Sequence, residues 1–304
     1  MKTEYRSGFV AVMGRPNVGK STLINALLGQ MIAAVSPRPQ TTRSQQLGIL
    51  SREDAQIIFV DTPGLHRPRH KLGEYMNQNA IEALENTDLI LFMVDGSVTP
   101  PHEEDHILTK ILHEIPSPPP VILAINKIDL LEKDQLQARQ EEYLALYPAA
   151  TPLLISATRG DQLDTLLDLL IASLPEGEPF YPEDQVTDLY ERDIAADLIR
   201  AAALLHLRDE VPHAIAIRID EYRERGDTGG YIAATLFVER ESQKGIVIGQ
   251  GGSMLKKIGT TARQEIEAMS GRKIFLELRV KVRKNWRNDP KALRRFGFKL
   301  KDKR

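Results

Sequence analysis

The sequence predicts an α/β chain in two parts: a larger N-terminal domain built on a mostly parallel sheet with helices on both faces, then a smaller α+β module. Three observations lead there. From Gly8 to about Leu174, short apolar runs rich in β-branched residues alternate with longer stretches of helical spacing. Between Pro175 and Asp184 the segment PEGEPFYPED carries three prolines and little that could continue a helix. Beyond it the pattern changes to helix, two strands, two helices and a strand. The expected limits are a first domain at 1–175, a linker at 176–186, a second domain at 187–285 and a basic tail at 286–304.

In the first part, Phe9–Met13, Ile57–Val60, Leu89–Val94, Val121–Ile125 and Leu153–Ile155 read as buried strands, being apolar throughout and too short for helices. Lys20–Leu28, Gly73–Leu84, Glu103–Leu112, Gln135–Tyr147 and Leu163–Ser173 carry helical spacing. Leu47–Leu50, followed by Arg52, Glu53 and Asp54 and a strand at Gln56, predicts one antiparallel hairpin added to the sheet. In the second part come a helix over about Thr187 to Asp209 and alternating segments at His213–Glu221 and Tyr231–Glu239. A glycine cluster, a helix over about Ser253 to Met269 and a strand at Lys273–Val282 follow.

Composition removes several classes. Among 304 residues, 42% are apolar and 27% charged, which excludes disordered, collagen-like and coiled-coil chains. The absence of cysteine excludes disulfide frameworks, zinc ribbons and thiol nucleophiles. The longest apolar runs, such as Leu89–Val94, fall far below the roughly 20 residues of a membrane span. The first residues, MKTEYRSGFVAVMG, enter a strand-like segment without the apolar core of a signal peptide, so a reducing cytoplasm is expected. The net charge of −2 hides a dipole. Residues 1–212 carry 18 Lys and Arg against 31 Asp and Glu, whereas residues 213–304 carry 22 against 11. That asymmetry points to a polyanionic partner for the C-terminal end.

Gly14-Arg15-Pro16-Asn17-Val18-Gly19-Lys20-Ser21, with Thr22 next, fits G-x-x-x-x-G-K-[ST] directly after one expected strand and at the start of a helix. Loop N–H groups and the helix N-terminus would cradle phosphates, Lys20 would reach the β- and γ-phosphates, and Ser21 would ligate Mg²⁺. Asp61-Thr62-Pro63-Gly64 follows the strand IIFV and puts a carboxylate near the metal and the Gly64 N–H near the γ-phosphate. Asn126-Lys127-Ile128-Asp129 follows VILAI. Guanine offers adjacent N1–H and N2–H donors that one carboxylate, Asp129, can accept together, which selects GTP over ATP. Lys127 would lie along the base, and Asn126 would tie the base loop to the phosphate loop. Ser156-Ala157 would supply a tight turn with N–H groups toward the guanine oxygen. In the polar loop Ser36–Arg43, Thr42 is the preferred second Mg²⁺ ligand and Thr41 the alternative.

Farther on, Gly249-Gln250-Gly251-Gly252 forms a G-x-x-G turn before an amphipathic helix bearing Lys256 and Lys257. Its glycines let a backbone approach phosphates closely. The strand KIFLELRVKVRK alternates apolar residues with Arg279, Lys281 and Arg283, and ends at Lys284, Asn285 and Trp286, the only tryptophan. Trp286 offers either a base-stacking surface or a packing residue. With its preceding strands and basic surroundings, this segment resembles a type II KH domain, which implies a groove that clamps about four nucleotides of single-stranded nucleic acid. One pattern is a decoy: His102-Glu103-Glu104-Asp105-His106 matches H-E-x-x-H, but it follows prolines, and its acids suit the first turn of a helix.

The four ordered nucleotide motifs resemble the translation-factor-related GTPases, and the order over nearly the whole chain resembles the Era family. The resemblance implies a P-loop GTPase domain followed by an α+β type II KH domain, hydrolysing GTP to GDP with Mg²⁺. It implies a monomeric bacterial switch that binds the single-stranded 3′ end of 16S rRNA and assists assembly of the 30S subunit. GTP and Mg²⁺ would then order the loops at 37–43 and 64–72 and change how the domains meet. Ras-like members place a glutamine after the glycine of Gly64, to orient the attacking water; here Leu65 stands there, so intrinsic hydrolysis is expected to be slow. The adjacent His66 reads as a polar residue without catalytic duty. In related GTPases an asparagine at the position of Asn17 helps hold K⁺, which leaves Lys20, Thr42, Gly64 and Asn17 as the catalytic set. The alternative function is a GTP-regulated adaptor whose basic end docks peripherally on the anionic inner face of the cell membrane, since lipid and RNA phosphates attract alike.

Overall fold

The structure is a computed structural model that describes residues 5–36, 41–100, 102–226 and 229–298. These form two compact units: one from the described residues within 1–31, 42–67 and 76–188, the other from those within 32–41, 68–75 and 189–304.

The first unit contains β1 (Arg6–Met13), α1 (Lys20–Leu28), β2 (Gln46–Ser51), β3 (Ala55–Asp61), most of α2 (Lys71–Glu82), β4 (Leu89–Asp95), α3 (Asp105–Glu114), β5 (Val121–Asn126), α4 (Leu136–Leu144), β6 (Thr151–Leu154) and α5 (Leu163–Ser173). The sheet order is β2-β3-β1-β4-β5-β6, with β2 antiparallel to β3 and the remaining pairs parallel. Strands β3 and β4 flank β1, so the crossovers diverge at its C-terminal end and open a crevice for a ligand there. On one face, Ala11, Met13, Phe92, Val94, Leu123 and Ile125 pack against Ala80, Leu108, Leu112 and Tyr143 from the helices. Helices α1 and α5 cover the other face. Burial on both faces explains why the strands read as continuous apolar runs.

The proline-rich segment after α5 is strapped to this unit. The buried Gln56 side chain accepts from the N–H groups of Phe180 (2.7 Å) and Tyr181 (3.0 Å) and donates to the Tyr181 carbonyl (2.8 Å). Ser7 Oγ donates to the Glu178 carbonyl at 2.7 Å, and Phe180 packs edge-on against Phe9 with ring centroids 5.1 Å apart. Farther along, the N–H of Ile49 on the edge strand β2 reaches the Val186 carbonyl at 2.9 Å. Proline removes the donors that would continue a helix, and polar groups of the segment find partners on β1, β2 and β3 instead.

The second unit contains α6 (Glu191–His206), β7 (Ala216–Arg225), β8 (Gly229–Val238), α7 (Glu241–Ile248), α8 (Ser253–Ser270), β9 (Lys273–Val282) and α9 (Pro290–Arg295). Its sheet is β7-β8-β9, with β7 antiparallel and β9 parallel to β8. Helices α6 and α8 pack together and against one sheet face. One helix, α9, lies within the expected tail. Helix α7 is the first of the two helices expected after the paired strands, although Gly245 and three β-branched residues disfavour a helix there. Buried Gln243 nonetheless holds its start, accepting from the N–H groups of Glu239 (2.9 Å) and Arg240 (3.1 Å).

The expected tail is folded as far as Phe298; residues 299–304 lie outside the described ones. Asp289 caps α9 through the Lys291 N–H, and Leu293 is fully buried. Trp286 is fully buried as well; its Nε1–H donates to the Ala214 carbonyl at 2.8 Å, and its ring meets Phe296 edge-on. The base-stacking role considered for Trp286 is therefore corrected: the indole is core. Truncation to alanine should cost about 3–5 kcal/mol, measured as a loss in chemical denaturation. As the only tryptophan, it should show blue-shifted emission that acrylamide barely quenches.

Candidate nucleotide site and nucleic-acid interface

The phosphate loop lies between β1 and α1. Gly19 adopts φ +105°, and a Cβ there would fall 2.3 Å from Asn126 Nδ2, so only glycine allows the two loops to meet. Helix α1 starts at Lys20 without a side-chain cap, which leaves N–H groups of its first turn available to an anion. Lys20 is 7% exposed and folds over its own loop, donating to the carbonyls of Gly14 (3.2 Å) and Arg15 (3.1 Å). Burial pushes its pKa down to about 8, although the Asp61 carboxylate pulls the other way. Asn17 sits exposed in the same loop with φ +66°.

Three hydroxyl and carboxylate groups converge beside it. Ser21 Oγ donates to Asp61 Oδ2 at 2.7 Å, Thr42 Oγ1 to the same oxygen at 3.1 Å, and the two hydroxyls are 3.0 Å apart. All are hard oxygen donors, which suits Mg²⁺ and not a soft metal. Thr62 faces away, its hydroxyl donating to the Val12 carbonyl at 2.7 Å, so it fastens β3 to β1. Gly64 lies against the phosphate loop: a Cβ there would be 2.6 Å from Pro16 N. Pro37–Gln40, within the polar loop read from the sequence, lie outside the described residues.

The residues expected to read the base sit at the ends of β5 and β6. Asn126 is buried and spans both loops: Nδ2 donates to the Val18 carbonyl (2.8 Å), and Oδ1 accepts from the Ala157 N–H (2.9 Å). Asp129 Oδ1 accepts from Ser156 Oγ at 2.6 Å. The Ser156 N–H bonds the Asp161 carbonyl (3.1 Å), and the Ala157 N–H bonds Asn126. A turn motif in sequence does not say which acceptor its amides meet.

In the second unit the G-x-x-G turn joins α7 to α8 with Gly249, Gly251 and Gly252 all at positive φ. A groove of about 340 Å³ runs beside it, lined by Leu255, Lys256, Thr260, Arg263, Leu276 and Leu278 among others. An apolar floor with cationic sides suits stacked bases and phosphates. Lys257, Gln250 and Lys284 are exposed, and Arg283 pairs with Asp289 at 3.0 Å.

A protein-family model for the 50S ribosome-binding GTPase matches residues 9–127, and a KH domain model matches 210–287. GTPase Era of Halothermothrix orenii is 46% identical over 97% of this chain and 99% of its own length. The chain belongs to the Era GTPase family. GTPase Era of Geobacter metallireducens is also 46% identical, over 97% of this chain and 98% of its own. A crystal structure of Era in complex with MgGDPNP and nucleotides 1506–1542 of 16S ribosomal RNA superposes with TM-score 0.91 at 40% identity, covering 97% of this chain and all of that one. A variant of Aquifex aeolicus Era bound to GDP·AlF₄⁻ gives 0.90 at 40% identity, with the same coverage of both chains. This Era-family member is thus a GTPase with a P-loop domain followed by a KH domain.

Two features around the phosphate loop of this Era-family member appear only in three dimensions. Arg15 is nearly buried, with Nη2 3.6 Å from Asp95 Oδ2 and Nε 3.5 Å from Asp105 Oδ1. Asp95 also holds Lys127 at 2.5 Å. Burial pushes Asp95 up, but the hydrogen bonds from Lys127 and Ser97 outweigh it and hold the carboxyl below its usual range. Burial raises Asp105, with Arg15 opposing. The available signal was Asp95, a carboxylate ending the apolar run LILFMV beside Asn126. The second feature is Leu65, which points into the core and is 1% exposed, while His66 Nδ1 contacts the Gly64 carbonyl at 2.9 Å. The H-E-x-x-H decoy is split: α3 begins at Asp105, and among the described residues no His, Asp and Glu cluster could hold a metal.

Because Lys20 titrates near 8 while a bound phosphate demands its charged form, GDP binding above that pH should take up a proton and weaken as pH rises. Calorimetry at pH 8.5 in buffers of differing ionisation heat measures the uptake, and Lys20→Arg should abolish it.

Proposed function

We propose that this chain is a cytoplasmic switch that hydrolyses GTP and grips the single-stranded 3′ end of 16S rRNA, assisting 30S subunit assembly. What carries the reading is the presence, in one chain, of the Ser21–Thr42–Asp61 cluster at a P-loop and of the G-x-x-G groove. Gly14–Thr22 hold the phosphates, with Lys20 as the cation. Ser21, Thr42 and Asp61 hold Mg²⁺, which when bound neutralises charge on the phosphates. The Gly64 N–H meets the γ-phosphate, and Asp61 to Pro63 carry it there. Asn126, Lys127, Asp129, Ser156 and Ala157 enclose guanine, Asp129 accepting its two donors. In the KH domain, Gly249–Gly252 approach the RNA backbone, with Lys256 along the groove, and Lys257, Arg283 and Lys284 supply charge nearby.

Among the described residues no helix is long and apolar enough to cross a membrane, and no feature favours lipid over RNA for the basic end. The groove decides between them. A Cβ at Gly251 meets nothing within 4 Å, and aspartate tolerates a left-handed backbone, so Gly251→Asp should fold. It should lose RNA binding by about tenfold or more with GTP binding unchanged, measured by filter binding; RNA held normally would remove the KH reading. Wild-type affinity should also fall steeply with salt.

Leu65 is buried where Ras-like GTPases carry the water-orienting glutamine, and Asn17 lies exposed in the phosphate loop. The reading therefore includes K⁺ held by Asn17. Hydrolysis should be several-fold faster in K⁺ than in Na⁺ at equal ionic strength, and Asn17→Ala should erase the difference; equal wild-type rates would refute it.

A further inference from the structure

The strand β9 has two functional sides. Leu276 and Leu278 face the groove beside α8, while Phe275, Glu277, Arg279 and Lys281 alternate onto the opposite face of the three-stranded sheet, which neither α6 nor α8 covers. On that face Phe275 is 64% exposed and lies beside its register partner Tyr231, the rings nearly parallel at 17° with centroids 5.9 Å apart. Glu277 fixes both neighbours: Tyr231 Oη donates to it at 2.8 Å, and Arg279 pairs with it at 2.6 Å. Across the sheet, Arg218 lies over the Phe237 ring at 5.1 Å, and Phe296 packs on that ring with centroids 5.0 Å apart, so the open part of the face is its Tyr231–Phe275 end.

We propose that this open sheet face is a second surface for single-stranded RNA, continuous with the G-x-x-G groove around the edge strand β9. A base leaving the groove stacks on Phe275 and Tyr231, and its phosphates meet Arg279 and Lys281. The occupant follows from the chemistry. Asp220, Glu221 and Glu277 are each paired with an arginine, Arg218, Arg223 and Arg279 respectively, which leaves Lys281 in surplus and the face net positive. A polyanion is favoured, and an exposed aromatic pair held from below adds stacking that only unpaired bases can use. Duplex RNA hides those base faces, and a lipid headgroup has none.

The inference rests on the groove reading, and RNA length separates the two. Full-length protein is titrated with labelled RNAs of five and twelve nucleotides from the 16S rRNA 3′ end. Phe275→Ala and Arg279→Ala should each weaken the twelve-mer about tenfold and leave the five-mer within about twofold, while Phe275→Tyr binds both normally. Gly251→Asp should weaken both RNAs. A twelve-mer bound no more tightly than the five-mer by wild type, or held equally well by Phe275→Ala, overturns the second surface, as does equal loss of both RNAs in that variant. Five-mer binding that survives Gly251→Asp overturns the groove reading instead, without touching the length-dependent result at Phe275.

Discussion

The nucleotide site depends on one buried amide. Asn126 uses both ends of its side chain, donating to the phosphate loop at Val18 and accepting from the loop after β6 at Ala157. It can do so because Gly19 has no Cβ, whose position would fall inside hydrogen-bond distance of Nδ2. The phosphate cradle and the base-reading loop are thereby a single piece, and each pre-positions the other. An ordered site of this kind spends less binding free energy on organising itself. Loss of the amide would leave a buried carbonyl and a buried N–H without partners, a larger penalty than the net value of the two bonds.

Around this tie the unit accepts charges that would ordinarily stay in water. Arg15, Asp95 and Asp105 are all nearly buried, and Lys127 joins them at the rim. Desolvating such groups is unfavourable unless they are paired, and a network of this sort contributes orientation more than stability. The same holds for Lys20, whose charged form is disfavoured by burial until a phosphate arrives. Binding chemistry is thus prepared in the protein alone. Beside it, Leu65 belongs to the core, and His66 Nδ1 lies against the Gly64 carbonyl.

The second unit divides its surface differently. One sheet face is closed by α6 and α8, and the period of two along β9 sends leucines to the groove and charged or aromatic residues to the open face. The positive excess of residues 213–304 is therefore not a solvated tail alone. Part of it is folded into ion pairs, such as Arg287 with Glu239 at 2.6 Å, and Trp286 and Leu293 anchor the chain that follows β9.

Much of this was legible in the amino-acid sequence because the signals are local. Buried strands show as apolar runs, the phosphate loop and the G-x-x-G turn need glycines at set spacings, and Asp61, Asn126 and Asp129 follow strand ends where a ligand crevice must lie. Those patterns determined the fold class, the guanine-nucleotide chemistry and the polyanion-binding end. Tertiary structure alone decided what depended on a distant partner. The indole of Trp286 needed the Ala214 carbonyl, and the Ala157 N–H went to Asn126. Arg15 acquired its role only when two carboxylates from β4 and α3 closed around it. A hydrogen bond or ion pair is fixed by proximity in space, and between residues 31, 72 or 90 positions apart no local periodicity records it.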